Sequence, residues 1–422
     1  MILKNCKYII TQNKDRKILD DFDILIKGNR IKKISKATLK EDFSENEEVI
    51  DCSEKIILPG LTNAHSHVAM TIFRGFYDDH ELFDWLGKIN PIEDKLTFEM
   101  VSVGAEVGIM EMLSRGIVAF IDTYYFPQAT LEVSQNYGIR LVSGRVLVAD
   151  LKKRMEENDA LIKKQNGLYK VIADAYAIYA NSIDNFKLIR DYAKKRNLRI
   201  NIHAAETRQE VFNCYKENGK YVIEYLDSLN LLNNAVLAHC GWVTKSEISI
   251  LKNRNAVIVH NPASNMKLAT GAFFPYSVCK SLDVPIALGT DGAASNNSLN
   301  LFDEMKLMAL LNKNNHWDAS VINAQEVLDS STINGANATG FDNGSIEEGK
   351  LADLIAIDAN TIELQPLTKE NLVSNLVYAY NSPVDFTIID GRVVFKKEFL
   401  EEWKWKTKRL SQKIRRFFKK NL

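Results

Sequence analysis

The stretch Asn234–Ser264 reads NAVLAHCGWVTKSEISILKNRNAVIVHNPAS. An apolar run ends in His239, the helical pattern KSEISILKNRN follows at 245–255, and a second apolar run ends in His260. Near-continuous apolar strands joined by a helix imply parallel strands buried on both faces. The same alternation extends outward. Upstream lie KIILPGLTNAH (55–65), GIVAFIDTYY (116–125), IRLVSGRVLV (139–148), YKVIADAYAIY (169–179) and LRINIHAAE (198–206); downstream lies VPIALGTDG (284–292). Helical patterns such as EMVSVGAEVGIMEMLSRG (99–116) and NFKLIRDYAKKRN (185–197) separate them, with Gly116 as a C-terminal stop. Eight such units spread over about 290 residues predict an α/β fold, a (β/α)8 barrel spanning residues 56–347.

The flanks have another rhythm. DILIKGNRIKKIS (23–35) is two alternating strands about Gly28-Asn29, a hairpin signal, and VDFTIIDGRVVFKK (384–397) repeats the form about Asp390-Gly391. LADLIAIDA (351–359) adds a strand. A small β-sandwich built from both chain ends, residues 1–55 and 348–400, is therefore expected around the barrel. The remaining 401–422 segment carries nine basic residues against two acidic. It is read as a solvated terminal helix docking Trp403, Leu410 and Phe417 on the body, rather than as a membrane or nucleic-acid surface.

Composition narrows the function classes. Lys+Arg and Asp+Glu both number 54 in the 422 residues, which argues against a general polyanion partner. Five scattered cysteines without a C-x-x-C suit a reducing compartment better than a disulfide framework. The start MILKNCKYII lacks a signal-like pattern, and no apolar run reaches the ~18 residues of a spanning helix. The expectation is a cytoplasmic protein with a small-molecule substrate, no nucleic acid and no membrane; a homo-oligomer stays open.

In a barrel, the C-terminal strand ends converge on one mouth, where chemistry sits. These ends carry His65 and His67, then Asp122, Arg145, Tyr176, His203 with Glu206, His239, His260 and Asp291. Five of the seven histidines thus fall at strand ends, too many for chance. Residues 65 and 67 share one strand face. Three imidazoles and a carboxylate suit one divalent metal, Zn²⁺ first, with Fe²⁺ or Mn²⁺ as alternatives. Such a metal keeps an open position for water and lowers its pKa towards ~7. Asp291, Glu206 and His239 offer the base and proton shuttle it needs. With no lysine ending the fourth strand to carry a bridging carbamate, one metal is expected.

Several ordered motifs, LPGLTNAHSHVAMTIFRGFYDD (58–79), WLGKINPIEDKLTFE (85–99), HAAET (203–207), AHCGW (238–242), HNPASNMKLATG (260–271) and GTDGAASNNSLNLFDEMK (289–306), are spread along the chain from residue 58 to 306. In these the sequence resembles the amidohydrolase superfamily, in its cytosine-deaminase-like and triazine-hydrolase-like branch. It looks most like the 5'-methylthioadenosine/S-adenosylhomocysteine and 5'-deoxyadenosine deaminases. The resemblance implies His65, His67, His203 and Asp291 as metal ligands, Glu206 as the proton-shuttling carboxylate and His239 as the histidine that orients the reacting water. It further implies Glu93 as a binder of sugar hydroxyls and Arg145 as a substrate contact. The reaction implied is hydrolytic deamination of a 6-aminopurine nucleoside to the inosine analogue.

Two departures stand out. Where the relatives carry HAPYT, this chain has YAIYANS, placing Tyr176 at a substrate-contacting histidine; where they often carry HCVH, Trp242 replaces the second histidine. Both are expected beside substrate. The long segment FYDDHELFDWLGKINPIEDK (76–95) exceeds an ordinary βα loop and is expected to fold over the mouth, offering Phe76, Phe83 and Trp85 to a ring or 5'-substituent. Other positions have blander readings. Asp122 is expected to orient a ligand imidazole, Cys240 to be structural, and His260 is open between core and mouth. His80 and His316 are read as surface residues. The competing functions are hydrolysis of another N-heterocycle (guanine, pterin, cytosine or triazine type) and a catalytically silent scaffold. Retention of every metal and shuttle residue speaks against the silent scaffold.

Overall fold

The computed structural model describes residues 1–36 and 47–421. Eight parallel strands form the barrel. In order they are Leu61–His67, Ile117–Asp122, Arg140–Ser143, Tyr169–Ala177 (interrupted at Ile172), Ile200–Ala204, Val236–His239, Val257–His260 and Ile286–Gly292 (interrupted at 289–290). Two half-barrels of pairing meet at the two interrupted strands. Tyr169–Val171 pairs with the third strand while Ala173–Ala177 pairs with the fifth. Ile286–Leu288 pairs with the seventh while Asp291 pairs with Ser66 of the first, which closes the ring. Every residue of the second, sixth and seventh strands is buried, as their unbroken apolar character requires.

The apolar run at 55–65 divides where one barrel strand was expected. Lys55–Pro59 leaves the barrel, pairing antiparallel with Leu354–Asp358 and parallel with the strand Ile2–Ile10; only Leu61–His67 enters the ring. Gly60 marks the break. A Cβ there would lie 2.1 Å from Val118 Cγ1, so the chain crosses between sheet and barrel only without a side chain.

Both chain ends associate in one eight-stranded mixed sheet, whose two outer hairpins meet where Asn29 Nδ2 donates to Asp390 Oδ1 at 3.1 Å. Its order runs 392–396, 386–389, 354–358, 55–59, 2–10, 18–27, 30–35, with 49–51 also pairing on 2–10. The sheet has a core of its own that includes Leu3, Ile24, Ile57, Leu354 and Ile388.

Arg140, at the start of the third barrel strand, ties this sheet down. Its fully buried guanidinium contacts Asp353 at 2.6 and 2.9 Å and Asp390 at 3.0 Å. Removing one member of a buried pair leaves the other charge uncompensated. Arg140→Met is therefore expected to cost about 3–5 kcal/mol in chemical denaturation.

The terminal helix Phe399–Asn421 docks as expected, burying Trp403, Leu410 and Phe417. Its cations meet acids on helix Phe98–Ser114: Lys406 pairs with Glu106 at 2.6 Å and Lys413 with Glu99 at 2.8 Å. Phe76 stacks on Phe418 at 4.6 Å, so it braces this helix rather than the mouth. Among the described residues no helix is long and apolar enough to cross a membrane.

Candidate active site

Three ring nitrogens and one carboxylate oxygen converge at the C-terminal mouth. Asp291 Oδ1 lies 3.1 Å from His67 Nε2 and 3.5 Å from His65 Nε2, and the Nε2 atoms of His67 and His203 are 3.4 Å apart. The partners of the opposite ring nitrogens fix the tautomers. His67 Nδ1 donates to Thr123 O at 2.5 Å and His203 Nδ1 to Tyr176 O at 2.8 Å. As neutral rings both therefore turn an Nε2 lone pair to the same point, and among the described residues buried His65 has no hydrogen-bond partner on either nitrogen. Facing lone pairs with a carboxylate oxygen beside them call for a cation. The residues fit a divalent metal, which needs deprotonated donors of this kind.

Asp291 is held in one orientation. Its Oδ2 accepts from Ser264 Oγ at 2.6 Å and Ser295 Oγ at 3.1 Å, which leaves Oδ1 for the cluster. The backbone contributes as well. Tyr176, Ala205, His239 and Asp291 adopt left-handed φ values of +60°, +51°, +71° and +59°. Such strain in non-glycine residues gathers at functional sites, and here it turns strand ends sharply into the mouth.

Charge follows burial and crowding. Burial disfavours ionised Asp291, but the imidazoles of His65 and His67 outweigh it and hold the carboxyl well below its usual range. Burial and neighbouring imidazoles push His203 far down, and burial brings His65 to about 4. His67 alone rises, to about 9, because contact with Asp291 overcomes its own burial. The proton that Asp291 favours on His67 Nε2 occupies the side of the ring that would face a metal, so a bound divalent ion would take that proton's place.

Glu206 stands beside this cluster, 5% exposed, with Oε2 3.8 Å from His239 Nε2. Burial first and the Asp291 charge second push its carboxyl up to about 8, so it carries a proton at neutral pH. Glu210 fixes the turn that carries it, accepting from Ala205 N at 3.2 Å and Glu206 N at 2.8 Å. His239 Nδ1 receives amide hydrogens from Asn265 at 3.0 Å and Asn261 at 3.4 Å. The Asn261 amide nitrogen also faces Val259 O at 3.5 Å, which sets its orientation. His239 therefore keeps its proton on Nε2, towards Glu206, and acts as a donor.

A cavity of about 370 Å³ opens over these groups. Trp85, Glu93, Arg145 and Tyr176 all line it, as do His67, His203, Glu206, His239 and Asp291. The segment 76–95 supplies one wall through Leu82, Trp85, Leu86 and Glu93 of the helix Leu82–Glu93. Phe83 instead packs on Tyr179, ring centroids 6.0 Å apart. Arg145 reaches the cavity with Nε 2.8 Å from Glu157.

Two expectations need correction, and the open case of His260 resolves to the core. Asp122 touches no imidazole: Oδ1 accepts Val68 N–H at 2.7 Å, and His67 is oriented by the Thr123 carbonyl one residue on. Trp242 lies outside the substrate cavity, its indole donating to Thr270 O at 2.8 Å. His260 is buried behind His239, stacked on Phe274 at 4.1 Å, and faces a separate cavity. Sequence reasoning also passed over Tyr124, Tyr125, Tyr179 and Arg154 of the lining and the serines on Asp291. The Tyr pair was visible in IDTYY at a strand end; the others carried no signal of their own.

The amidohydrolase family model matches residues 56–394. A 5'-deoxyadenosine deaminase of Methanosphaera stadtmanae is 40% identical over 92% of this chain and 93% of that protein. A 5-methylthioadenosine/S-adenosylhomocysteine deaminase of Archaeoglobus fulgidus is 35% identical over 93% of each. Among solved structures, a zinc-bound adenosine deaminase of Xanthomonas campestris superposes with a TM-score of 0.89 at 27% identity, over 98% of each chain. The barrel, the donor cluster at its mouth and these matches along nearly the whole length have one meaning: the chain belongs to the amidohydrolase family.

Proposed function

We propose that this protein is a hydrolytic deaminase of 6-aminopurine nucleosides bearing a small or sulfur-containing 5'-group, with one zinc ion held by His65, His67, His203 and Asp291. The observation that carries the reading is the meeting, in one cavity, of a metal donor set and the buried carboxyl groups of Glu206 and Glu93. The apolar wall of Met70, Leu82, Trp85, Leu86 and Leu268 suits an uncharged 5'-substituent.

A bound divalent ion supplies Lewis acidity, making water acidic enough to add to the amine-bearing ring carbon. Asp291 Oδ1 accepts the water proton, its other oxygen being engaged by Ser264 and Ser295. Glu206 delivers its proton to the adjacent ring nitrogen. His239 donates from Nε2 to the oxygen as negative charge gathers there. The proton held on Asp291 then passes to the amino group, the C–N bond breaks and ammonia leaves, and the remaining hydroxyl proton returns to Glu206 as the carbonyl forms.

Tyr176 offers a hydroxyl that burial pushes up to about 12, so it stays neutral where a histidine would be able to carry charge. Substrates that need a cation there are disfavoured. The test is ammonia release by the metal-loaded protein from adenosine, its phosphates, 5'-deoxyadenosine, methylthioadenosine, S-adenosylhomocysteine, guanine, cytosine, a pterin and an aminotriazine. The 5'-deoxy and methylthio nucleosides are expected to lead, ahead of the phosphates. Activity confined to free bases or triazines would refute the nucleoside reading and favour the other-heterocycle one, which draws on the Tyr176 departure.

A further inference from the structure

Glu93 is a costly place for a negative charge. It is 6% exposed, ends the helix Leu82–Glu93 and is followed by Asp94. A carboxylate there lies at the C-terminal end of the helix, the unfavourable end of its dipole. Buried carboxylates normally gather two or three donors. Among the described residues only Tyr124 donates to this one, its Oη 2.5 Å from Oε1. Tyr124 follows the second barrel strand, is itself 6% exposed, and lines the cavity beside Glu93. Its phenol, pushed far up by burial and by Glu93, can only donate to this carboxylate.

We propose that Tyr124 is the positioning residue that sets ribose selectivity, pinning Glu93 in one rotamer as an anion so that both sugar hydroxyls can donate to it. The inference rests on the nucleoside reading above. Two hydroxyls plus Tyr124 would complete the three donors a buried carboxylate needs, whereas a 2'-deoxy sugar leaves one missing. Without the phenol, the carboxyl keeps no protein donor. Burial already brings it to about 7, and losing Tyr124 favours the neutral form, which carries its own proton and accepts less well. The effect should reach substrate only through a hydroxyl.

The experiment compares the metal-loaded parent, Tyr124→Phe, Glu93→Gln and the double variant on 5'-deoxyadenosine and 2',5'-dideoxyadenosine. Tyr124→Phe is expected to raise KM for 5'-deoxyadenosine roughly 10-fold, the scale of one hydrogen bond to a charged group, with kcat held within about twofold. For the 2'-deoxy substrate the rise should stay below about twofold, and in the Glu93→Gln background Tyr124→Phe should add nothing. Equal rises for both nucleosides, or a fall in kcat at unchanged KM, would overturn the proposal while leaving the deaminase reading intact. If the parent turns over neither nucleoside, the nucleoside reading itself fails and takes this inference with it. Metal content and thermal unfolding check the variant, and Tyr124→Leu replaces it if it does not fold.

Discussion

Glu206→Gln is expected to keep the fold and the full metal content while losing turnover by roughly 10²–10⁴-fold, the usual contribution of a positioned acid–base group. The amide has the shape of the carboxyl but no proton to exchange. The environment that makes Glu206 an acid also fixes the pH dependence. Burial and the Asp291 charge raise its pKa to about 8, so the protonated, active form dominates at neutral pH and is lost above that value. The parent should therefore show an alkaline limb in kcat, and Glu206→Gln should lack it. Turnover near the parent level in the variant would assign the proton transfer to another residue.

Asp291→Asn is the second large effect. Among the described residues Asp291 is the only carboxylate in contact with both His65 and His67, at 3.5 and 3.1 Å, and it is the main source of the upward shift on His67. On the proposed mechanism, replacing it removes a charged metal donor and the acceptor of the water proton together. Several kcal/mol of transition-state stabilisation should go, on the order of 10³-fold or more in rate. Metal content should fall as well, which separates this variant from Glu206→Gln. Full metal retention by Asp291→Asn would remove the residue from the donor set.

The barrel was legible because its strands are buried on both faces, so each reads as an unbroken apolar run. The histidines were legible because residues 65 and 67 share a strand face and the others also sit at strand ends. What stayed hidden is set by single residues or by distant pairing. Nothing but Gly60 separates Lys55–Pro59 from Leu61–His67, and an apolar run does not say which of two sheets it joins. Hairpin signals such as Gly28-Asn29 identify adjacent partners but not that 354–358 would lie against 55–59 and join the two chain ends in one hydrogen-bonded sheet. Asp122 was misread by one residue: the carbonyl of Thr123, not a side chain, orients His67, and carbonyls leave no trace in sequence. Tyr124 looked like a strand-end aromatic until its distance to Glu93 was seen.

The central claim is that one metal at His65, His67, His203 and Asp291 drives deamination of a 5'-substituted adenosine. It is tested most directly by titrating metal-stripped protein with Zn²⁺ while following conversion of 5'-deoxyadenosine to 5'-deoxyinosine and ammonia. Activity should rise linearly from near zero and break at one equivalent. Full turnover without metal, or a break at two equivalents, would contradict it.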